Sequence, residues 1–226
     1  LIMQGDHAEV LERTPEPADP AATPLMLALR ATSLLALGLD EEADGAIEAA
    51  AALEGAGESF DLALAEARLG LFHEDLRAAG AAIARAETIE PADFRLHMLQ
   101  GQYAMLDGDA QAAEFAFDKA VKMRPVNPQA KVGLINAMLI QRAFNSADQE
   151  IDELARIAPD SPMVEYLRGY SAYLNRKPKV AKDHLLKVVA QAPGHTQSQL
   201  LLANILFSEQ RYEQAENMVS AILDDH

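Results

Sequence analysis

Four prolines, each 34 residues after the last, constrain this chain more than any other feature of its sequence. They lie in the similar stretches AETIEPAD, AVKMRPVN, LARIAPDS and VVAQAPGH, at Pro91, Pro125, Pro159 and Pro193. Proline has no backbone N–H and clashes with the preceding helical turn, so each stretch marks a point where a helix stops. This regular interval predicts a chain built from repeated helical units.

Other columns of the sequence keep the same period. With each proline at position 32, units begin at Pro24, Phe60, Phe94, Pro128, Pro162 and Thr196, the first with a two-residue insertion. Position 20 is alanine in every unit, at Ala43, Ala79, Ala113, Ala147, Ala181 and Ala215. Position 8 is small in five of the six units, with Ile135 as the exception. Positions 20, 24 and 27 share one face of a second helix, which indicates two closely packed helices in each unit.

The segment between the two helices of a unit has the composition of a turn. In LDGDAQAA, residues 106–113, Gly108 can adopt the left-handed conformation that ends one helix, and Asp109 can cap the next. Each unit is therefore predicted to be a helical hairpin. Half of the residues are hydrophobic and only 5% are aromatic, which favours an all-α fold over a sheet.

The period and its columns resemble the tetratricopeptide repeat (TPR), a helix-turn-helix unit with small residues near positions 8 and 20 and a proline at position 32. The resemblance implies an all-α solenoid, a right-handed superhelix of about six 34-residue repeats. The expected units are 24–59, 60–93, 94–127, 128–161, 162–195 and 196–226, in a single solenoid domain. Residues 1–23 look like the remnant of a preceding repeat and a proline-rich connector, so we expect the sequence to be a piece of a longer array.

In TPR proteins the first helices line a concave groove, which positions 2, 5, 9 and 12 usually face. Position 9 forms a mostly polar ladder: Thr32, Arg68, Gln102, Asn136, Tyr170 and Asn204. Positions 5 and 12 would supply apolar walls: Leu64, Met98, Val132, Tyr166, Leu200, Leu71, Met105, Leu139, Tyr173 and Phe207. The resemblance thus implies ligand contacts at Arg68, Gln102, Asn136, Tyr166, Tyr170, Tyr173, Asn204 and Phe207.

The ligand implied by this groove is linear, and two classes remain open. Asparagine and glutamine can pair with the amides of an extended peptide or with the hydroxyls of a sugar chain. Tyr166, Tyr170 and Tyr173 follow one helix face and can stack on a proline or a sugar ring. Aromatic residues and leucines at helical spacing are more often core, so partial burial of positions 5 and 12 between neighbouring helices is the alternative, and it is the interpretation favoured for Tyr166 and Tyr173. For Tyr170 and the amide side chains, contact with a ligand is favoured because unpaired polar groups are rarely buried.

Several function classes lack support. The net charge is −16, and residues 1–93 hold 19 of the 35 acidic residues but 5 of the 19 basic ones, so nucleic acid is not an expected partner. The chain has no cysteine, no HExxH pair, no GxSxG elbow, no P-loop and no GxGxxG loop. We therefore predict no catalytic residues, no metal site and no cofactor. No apolar run reaches 18 residues, so this fragment is not expected to span a membrane.

The later units resemble a narrower family, the TPR-repeat lipoprotein of bacterial exosortase (PEP-CTERM) systems. The similar stretches are IDELARIAPDSPMVEYL (151–167), AKDHLLKVVAQAPGH (181–195) and EQAE (213–216). The resemblance implies a scaffold in the periplasm or outer membrane of a Gram-negative bacterium, lipid-anchored in its full-length form. Such systems couple protein sorting to exopolysaccharide production. A protein or peptide partner is therefore expected, with exopolysaccharide as the alternative ligand.

Overall fold

The computed structural model describes residues 6–224. Within that range it contains thirteen α-helices, a 3₁₀ turn at Ala56–Glu58 and no strand, so the all-α prediction is confirmed. The helices are α1 (His7–Arg13), α2 (Pro24–Ala36), α3 (Asp40–Ala51), α4 (Phe60–Phe72), α5 (Leu76–Ile89), α6 (Phe94–Asp107), α7 (Ala110–Met123), α8 (Pro128–Ile140), α9 (Phe144–Ile157), α10 (Pro162–Leu174), α11 (Pro178–Gln191), α12 (Thr196–Ser208) and α13 (Tyr212–Asp224). None of the described helices combines the length and the apolar character needed to cross a bilayer.

The first helix of every hairpin begins at the residue from which the sequence period is counted. These helices are α2, α4, α6, α8, α10 and α12. The residue before each start accepts a hydrogen bond from the first turn, as Asp93 does from Leu96 N and Asn127 from Ala130 N. Proline occupies the first turn of α2, α8 and α10, where its missing N–H would have no helical partner. Local capping therefore fixes where each repeat begins.

The turn inside each hairpin has a left-handed residue at position 15 of the repeat. Gly108 has φ 82°, and Asp109 beside it accepts a hydrogen bond of 2.9 Å from Ala112 N, as the sequence predicts. The other units place Gly38, Glu74, Arg142, Arg176 and Gln210 at this position, all with positive φ. The repeat therefore imposes this backbone conformation even where the residue is not glycine.

Small residues let the two helices of a hairpin approach closely. The described position-20 alanines are 0 to 5% exposed. A Cβ added to Gly101 in α6 would lie 2.6 Å from Cε1 of Phe117 in α7. A Cβ added to Gly70 in α4 would lie 2.7 Å from the backbone nitrogen of Ala79 in α5. The columns of small residues thus reflect contacts that no larger side chain would allow without movement.

The chain divides into two compact units, one ending at Arg124 and the other beginning at Pro125. We call them the N-terminal unit (α1–α7) and the C-terminal unit (α8–α13). In the N-terminal unit, α2 packs on α4 and α4 on α6, so the first helices form a continuous row. In the C-terminal unit, α10 contacts α8 and α9, and α11 contacts α12. The organisation as a single solenoid domain stays a prediction.

Candidate ligand-binding surfaces

A cavity of about 740 Å³ opens on the row of first helices in the N-terminal unit. We call it the N-terminal cavity. Its apolar lining includes Val10, Leu25, Met26 and Leu29, and its charged lining is Arg13, Asp61, Arg68, Asp93, Arg95 and Arg124. Leu25 and Met26 are 48% and 41% exposed, although both are large hydrophobic residues. The cavity therefore combines an uncovered apolar surface with a group of charged side chains.

Arg95 organises the acidic side chains of this cavity. Its Nη1 donates to Oδ1 of Asp61 over 2.6 Å, and its Nε and Nη2 donate to the two carboxylate oxygens of Asp93, each over 3.2 Å. Burial alone would raise the pKa of Asp93, but the hydrogen bonds from Arg95 and from Leu96 N hold it below its ordinary value. Both carboxylates are thus already engaged as ion-pair partners.

Arg68 lies beside this ion-pair group and makes no hydrogen bond with either of its carboxylates. Its Nη1 donates to Oγ1 of Thr32 over 3.1 Å, a contact between α4 and α2. Within the part of the chain that the structure describes, Arg68 forms no ion pair with a carboxylate. Burial, followed by repulsion from Arg95, lowers the pKa of Arg68 from its ordinary value, and attraction to Asp61 and Asp93 offsets this only in part. The guanidinium therefore carries charge in a partly buried place with an uncharged oxygen as its bonded partner.

Two side chains expected to form the apolar walls of a groove are instead core residues. Leu64 at position 5 is 1% exposed, and Leu139 at position 12 is 0% exposed. Leu64 packs with Leu96 and Leu99, while Leu139 packs with Ile151 and Leu154. The prediction of continuous apolar walls from positions 5 and 12 is therefore wrong at these residues. Neighbouring helices cover them.

The structure spreads the other predicted contacts over the two units. In the N-terminal unit Arg68 lines the cavity, whereas Gln102 is exposed on α6 outside the lining. In the C-terminal unit Asn136 is partly buried on α8 and Asn204 is exposed on α12. Phe207 is 64% exposed, with its ring edge-on to Tyr212 at 5.2 Å between centroids. Whether these side chains contact a ligand stays a prediction.

The three predicted tyrosines lie on α10 and are all partly buried. The rings of Tyr166 and Tyr170 are stacked, with centroids 5.9 Å apart and planes 9° apart. His195 adds a third ring, 4.9 Å from that of Tyr166. Tyr166 packs against two hydrophobic clusters of the C-terminal unit, one around Ile135 and the other around Leu185, while Tyr170 packs against the first and Tyr173 against the second. Each tyrosine thus supports the core while it keeps part of its surface accessible.

A charged cluster joins α10 to α11 near these tyrosines. The carboxylate of Glu165 lies 2.9 Å from Nδ1 of His184, 3.1 Å from Nζ of Lys187 and 3.1 Å from Nη1 of Arg168. Burial alone would raise the pKa of Glu165, but the hydrogen bonds with His184 and Lys187 lower it to about 2.

Among residues 6–224 no group of three or more histidine, aspartate or glutamate side chains is arranged to hold a metal ion.

Position 2 of the repeat carries an ion pair that the sequence pattern was not used to predict. It places Asp61 and Arg95 one period apart on the helix face that positions 5, 9 and 12 share. Opposite charges at one position of consecutive repeats are the signal that could have revealed this ion pair. Leu25, at the same position of the preceding unit, is the exposed apolar residue of the cavity.

Comparison with known proteins agrees with this architecture. Two family models, each described as a tetratricopeptide repeat, match the chain, one over residues 104–169 and 172–226 and the other over 60–128. No curated protein matches the chain.

Solved structures share the fold at low sequence identity. A tetratricopeptide repeat protein from Parabacteroides merdae is 16% identical, with a TM-score of 0.77 over 99% of this chain and 88% of that chain. PilW, described as a widely conserved type IV pilus biogenesis factor, is 15% identical, with a TM-score of 0.74 over 91% of this chain and 93% of that chain. YrrB, described as a TPR protein with an unusual peptide-binding site, is 14% identical, with a TM-score of 0.60 over 85% of this chain and 95% of that chain. Identities this low show the fold alone.

Proposed function

Because this chain belongs to the tetratricopeptide repeat family, we propose that it is a non-catalytic scaffold that binds an extended segment of a partner protein on its first helices. The observation that carries the proposal is the N-terminal cavity, with about 740 Å³ beside the exposed side chains of Leu25 and Met26. Ligand sites are commonly concave and largely apolar, with a few polar groups that fix orientation. An extended peptide would place apolar side chains on Leu25 and Met26 and polar groups against the arginines.

The charged groups of the cavity suit binding better than catalysis. Arginine stays protonated at physiological pH, so Arg68 and Arg95 cannot exchange protons with a substrate. The lowered pKa of Asp93 makes its carboxylate a weak base, and both Asp93 and Asp61 accept hydrogen bonds from Arg95. These side chains can orient a ligand and neutralise its charge.

We place this scaffold in a bacterial cell-envelope system for protein sorting and exopolysaccharide production. This part of the proposal is supported by the resemblance of residues 151–167 and 181–195 to exosortase-associated TPR lipoproteins. The corresponding location would be the periplasm or outer membrane, with a lipid anchor on the full-length protein. Fractionation of the native organism with an antibody to this chain would test it, because recovery in the cytosolic fraction would contradict this location.

Polysaccharide binding is the second candidate, favoured by the aromatic group on the C-terminal unit. Tyr166 and Tyr170 stack with nearly parallel planes, and His195 adjoins them. Partly exposed aromatic faces of this kind can stack on sugar rings, and the tyrosine hydroxyls can bond to sugar hydroxyls. A sugar chain would bind here with little dependence on salt, because the contacts are uncharged.

Peptide binding is tested by selection from a displayed library of random 12-residue segments on the immobilised protein. Met26→Glu places a carboxylate on the apolar part of the cavity and should abolish enrichment. Phe115→Glu is the matched control, since Phe115 is a 63% exposed aromatic residue on the second helix α7. Equal enrichment on wild type and Met26→Glu would contradict peptide binding at the N-terminal cavity.

The polysaccharide alternative is tested by NMR titration with cellohexaose, maltohexaose and chitohexaose. Saturable shifts centred on Tyr170 that disappear in Tyr170→Ala would support it. Tyr212→Ala, which removes an exposed tyrosine from α13, is the control. Flat titrations with all three hexasaccharides would count against this alternative and leave the peptide proposal unaffected.

A further inference from the structure

The N-terminal cavity gathers arginine side chains within an acidic unit. Acidic residues outnumber basic ones in the N-terminal unit, yet the charged lining of the cavity consists of four arginines and two aspartates. Both aspartates are bound by one of these arginines, Arg95. Arg13 is paired with Glu9. Arg68 differs from Arg13 and Arg95 because its bonded partner is the uncharged hydroxyl of Thr32.

We propose that the segment bound in this cavity carries an acidic side chain that pairs with Arg68, flanked by apolar side chains that pack on Leu25 and Met26. This inference rests on the proposed function, because it specifies the ligand of the same cavity. The acidic group is assigned to a side chain within the segment. The lining continues on both sides of Arg68, from Val10 on α1 to Arg124 after α7, so the bound chain extends past Arg68 in both directions.

An incoming carboxylate would give Arg68 the charged hydrogen-bond partner that it lacks in this structure. A partly buried guanidinium is stabilised by a counter-charge, and its planar fork pairs with a carboxylate through two parallel hydrogen bonds. Thr32 accepts from one nitrogen of the fork, and the neighbouring carboxylates of Asp61 and Asp93 are held by Arg95. Burial, followed by the positive charge of Arg95, lowers the pKa of Arg68, and the charges of Asp61 and Asp93 do not fully offset this, so a further carboxylate would stabilise the charged form.

The surrounding charge determines how acidic the segment can be. The acidic residues outside the cavity repel a run of carboxylates, whereas one carboxylate that reaches Arg68 can pair with its guanidinium. Leu25, Met26 and Leu29 offer apolar contacts on the same lining. A single acidic residue between apolar residues therefore fits this cavity better than a polyacidic stretch.

The library selection tests this inference when it is repeated on Arg68→Gln and Arg77→Gln. The displayed segments are joined to the carrier at both ends, so they have no free terminal carboxylate. We expect segments enriched on wild type to share one aspartate or glutamate with apolar neighbours. Arg77→Gln removes the same charge from an exposed position on α5 and should select the same segments. Arg68→Gln should lose the acidic preference.

Isothermal titration then measures the effect on one peptide. The most enriched segment is synthesised with an acetylated N-terminus and an amidated C-terminus, together with a version whose acidic residue is replaced by its amide. On wild type the amide version should bind at least about tenfold more weakly, the range expected for loss of a charge-assisted bidentate pair. On Arg68→Gln the two peptides should bind within about threefold of each other. If circular dichroism shows that Arg68→Gln does not fold, Arg68→Lys takes its place, and its ratio should fall between these two values because lysine keeps the charge without the fork.

Each outcome separates this inference from the proposed function. Enriched segments without a shared acidic residue would overturn the acidic ligand and leave peptide binding in place. An acidic preference that persists unchanged on Arg68→Gln would overturn the assignment to Arg68. Segments that bind Met26→Glu as well as wild type would overturn the proposed function and this inference together.

Discussion

Asp61 and Arg95 occupy position 2 of consecutive repeats, 34 residues apart, and are joined by an ion pair of 2.6 Å. The pair connects the first turns of α4 and α6, which also pack directly on each other. Arg95 additionally holds Asp93, the residue that caps its own helix. Arg95 thus connects two neighbouring repeats and also binds the N-cap residue of the second one.

Replacing Asp61 by asparagine and Arg95 by glutamine, singly and together, should reveal a favourable coupling between them. Both side chains are partly exposed, at 34% for Arg95 and 26% for Asp61, so solvent screens the pair. We expect a coupling free energy of about 0.5 to 1 kcal/mol from urea unfolding of the four proteins. The coupling should shrink in 1 M NaCl. A value of zero at low salt would show that the contact does not contribute to stability.

Gly70 and Gly45 are matched sites for the same substitution, with opposite expected effects. In Gly70→Ala the new Cβ would meet the backbone nitrogen of Ala79 at 2.7 Å, so α4 and α5 must move apart. We expect a loss of about 2 kcal/mol in the free energy of unfolding. Gly45 lies in α3 with nothing within 4 Å of an added Cβ, and Gly45→Ala should gain about 0.5 to 1 kcal/mol. Urea unfolding checks both, and an unchanged stability for Gly70→Ala would contradict the close packing.

Most of the fold can be predicted from the sequence because each structural role occurs at the same position of several repeats. Pro91, Ala79 and Gly108 each mark a position whose physical role recurs in other units, so helix starts, turns and close contacts could be predicted from spacing. The left-handed turn at Arg142 could not be recognised from its residue type, since arginine rarely has positive φ. It follows only from alignment with Gly108.

The cavity was less predictable because it depends on which side chains neighbouring helices cover. Leu64 and Met26 are both apolar residues on first helices, yet Leu64 is buried and Met26 is 41% exposed. Arg68 was recognised as a candidate from its position in the repeat. Its pairing with Thr32, and not with an acidic residue, depends on the packing of α4 against α2. The repeat spacing alone does not indicate which residue Arg68 binds.

Glu165 should stabilise the C-terminal unit in a pH-dependent manner. Its folded pKa is about 2, whereas an unfolded glutamate has a pKa of about 4.3. A lowered folded pKa gives stability that is complete above the unfolded pKa and is lost as the pH falls towards the folded pKa. Glu165→Gln should therefore cost about 1 kcal/mol at pH 6.5, allowing for screening at the exposed Lys187, and clearly less at pH 3.

The measurement is the urea midpoint of wild type and Glu165→Gln at the two pH values. Carbon-13 NMR of the Glu165 carboxylate gives a second readout. Removing one hydrogen-bond partner by Lys187→Gln should raise the pKa of Glu165 towards its ordinary value. A Glu165 carboxylate that titrates near pH 4 in the wild-type protein would contradict the ion-pair cluster.

Ala143 lies at the N-cap position of α9, where its side chain cannot form a capping hydrogen bond. It holds the same position as Asp75 and Asp109, whose carboxylates accept hydrogen bonds of 2.9 Å from Ala78 N and Ala112 N. Ala143 precedes α9 with φ −78° and ψ 55°, in the same region of backbone conformation, but makes no side-chain cap. Ala143→Asp should therefore stabilise the protein by about 1 kcal/mol, and Asp109→Ala should destabilise it by a similar amount. Ala143→Asn should reproduce most of the gain, because capping needs an acceptor oxygen more than a charge. Thermal unfolding of the three variants would test this, and a gain for aspartate without one for asparagine would indicate a charge effect in place of a cap.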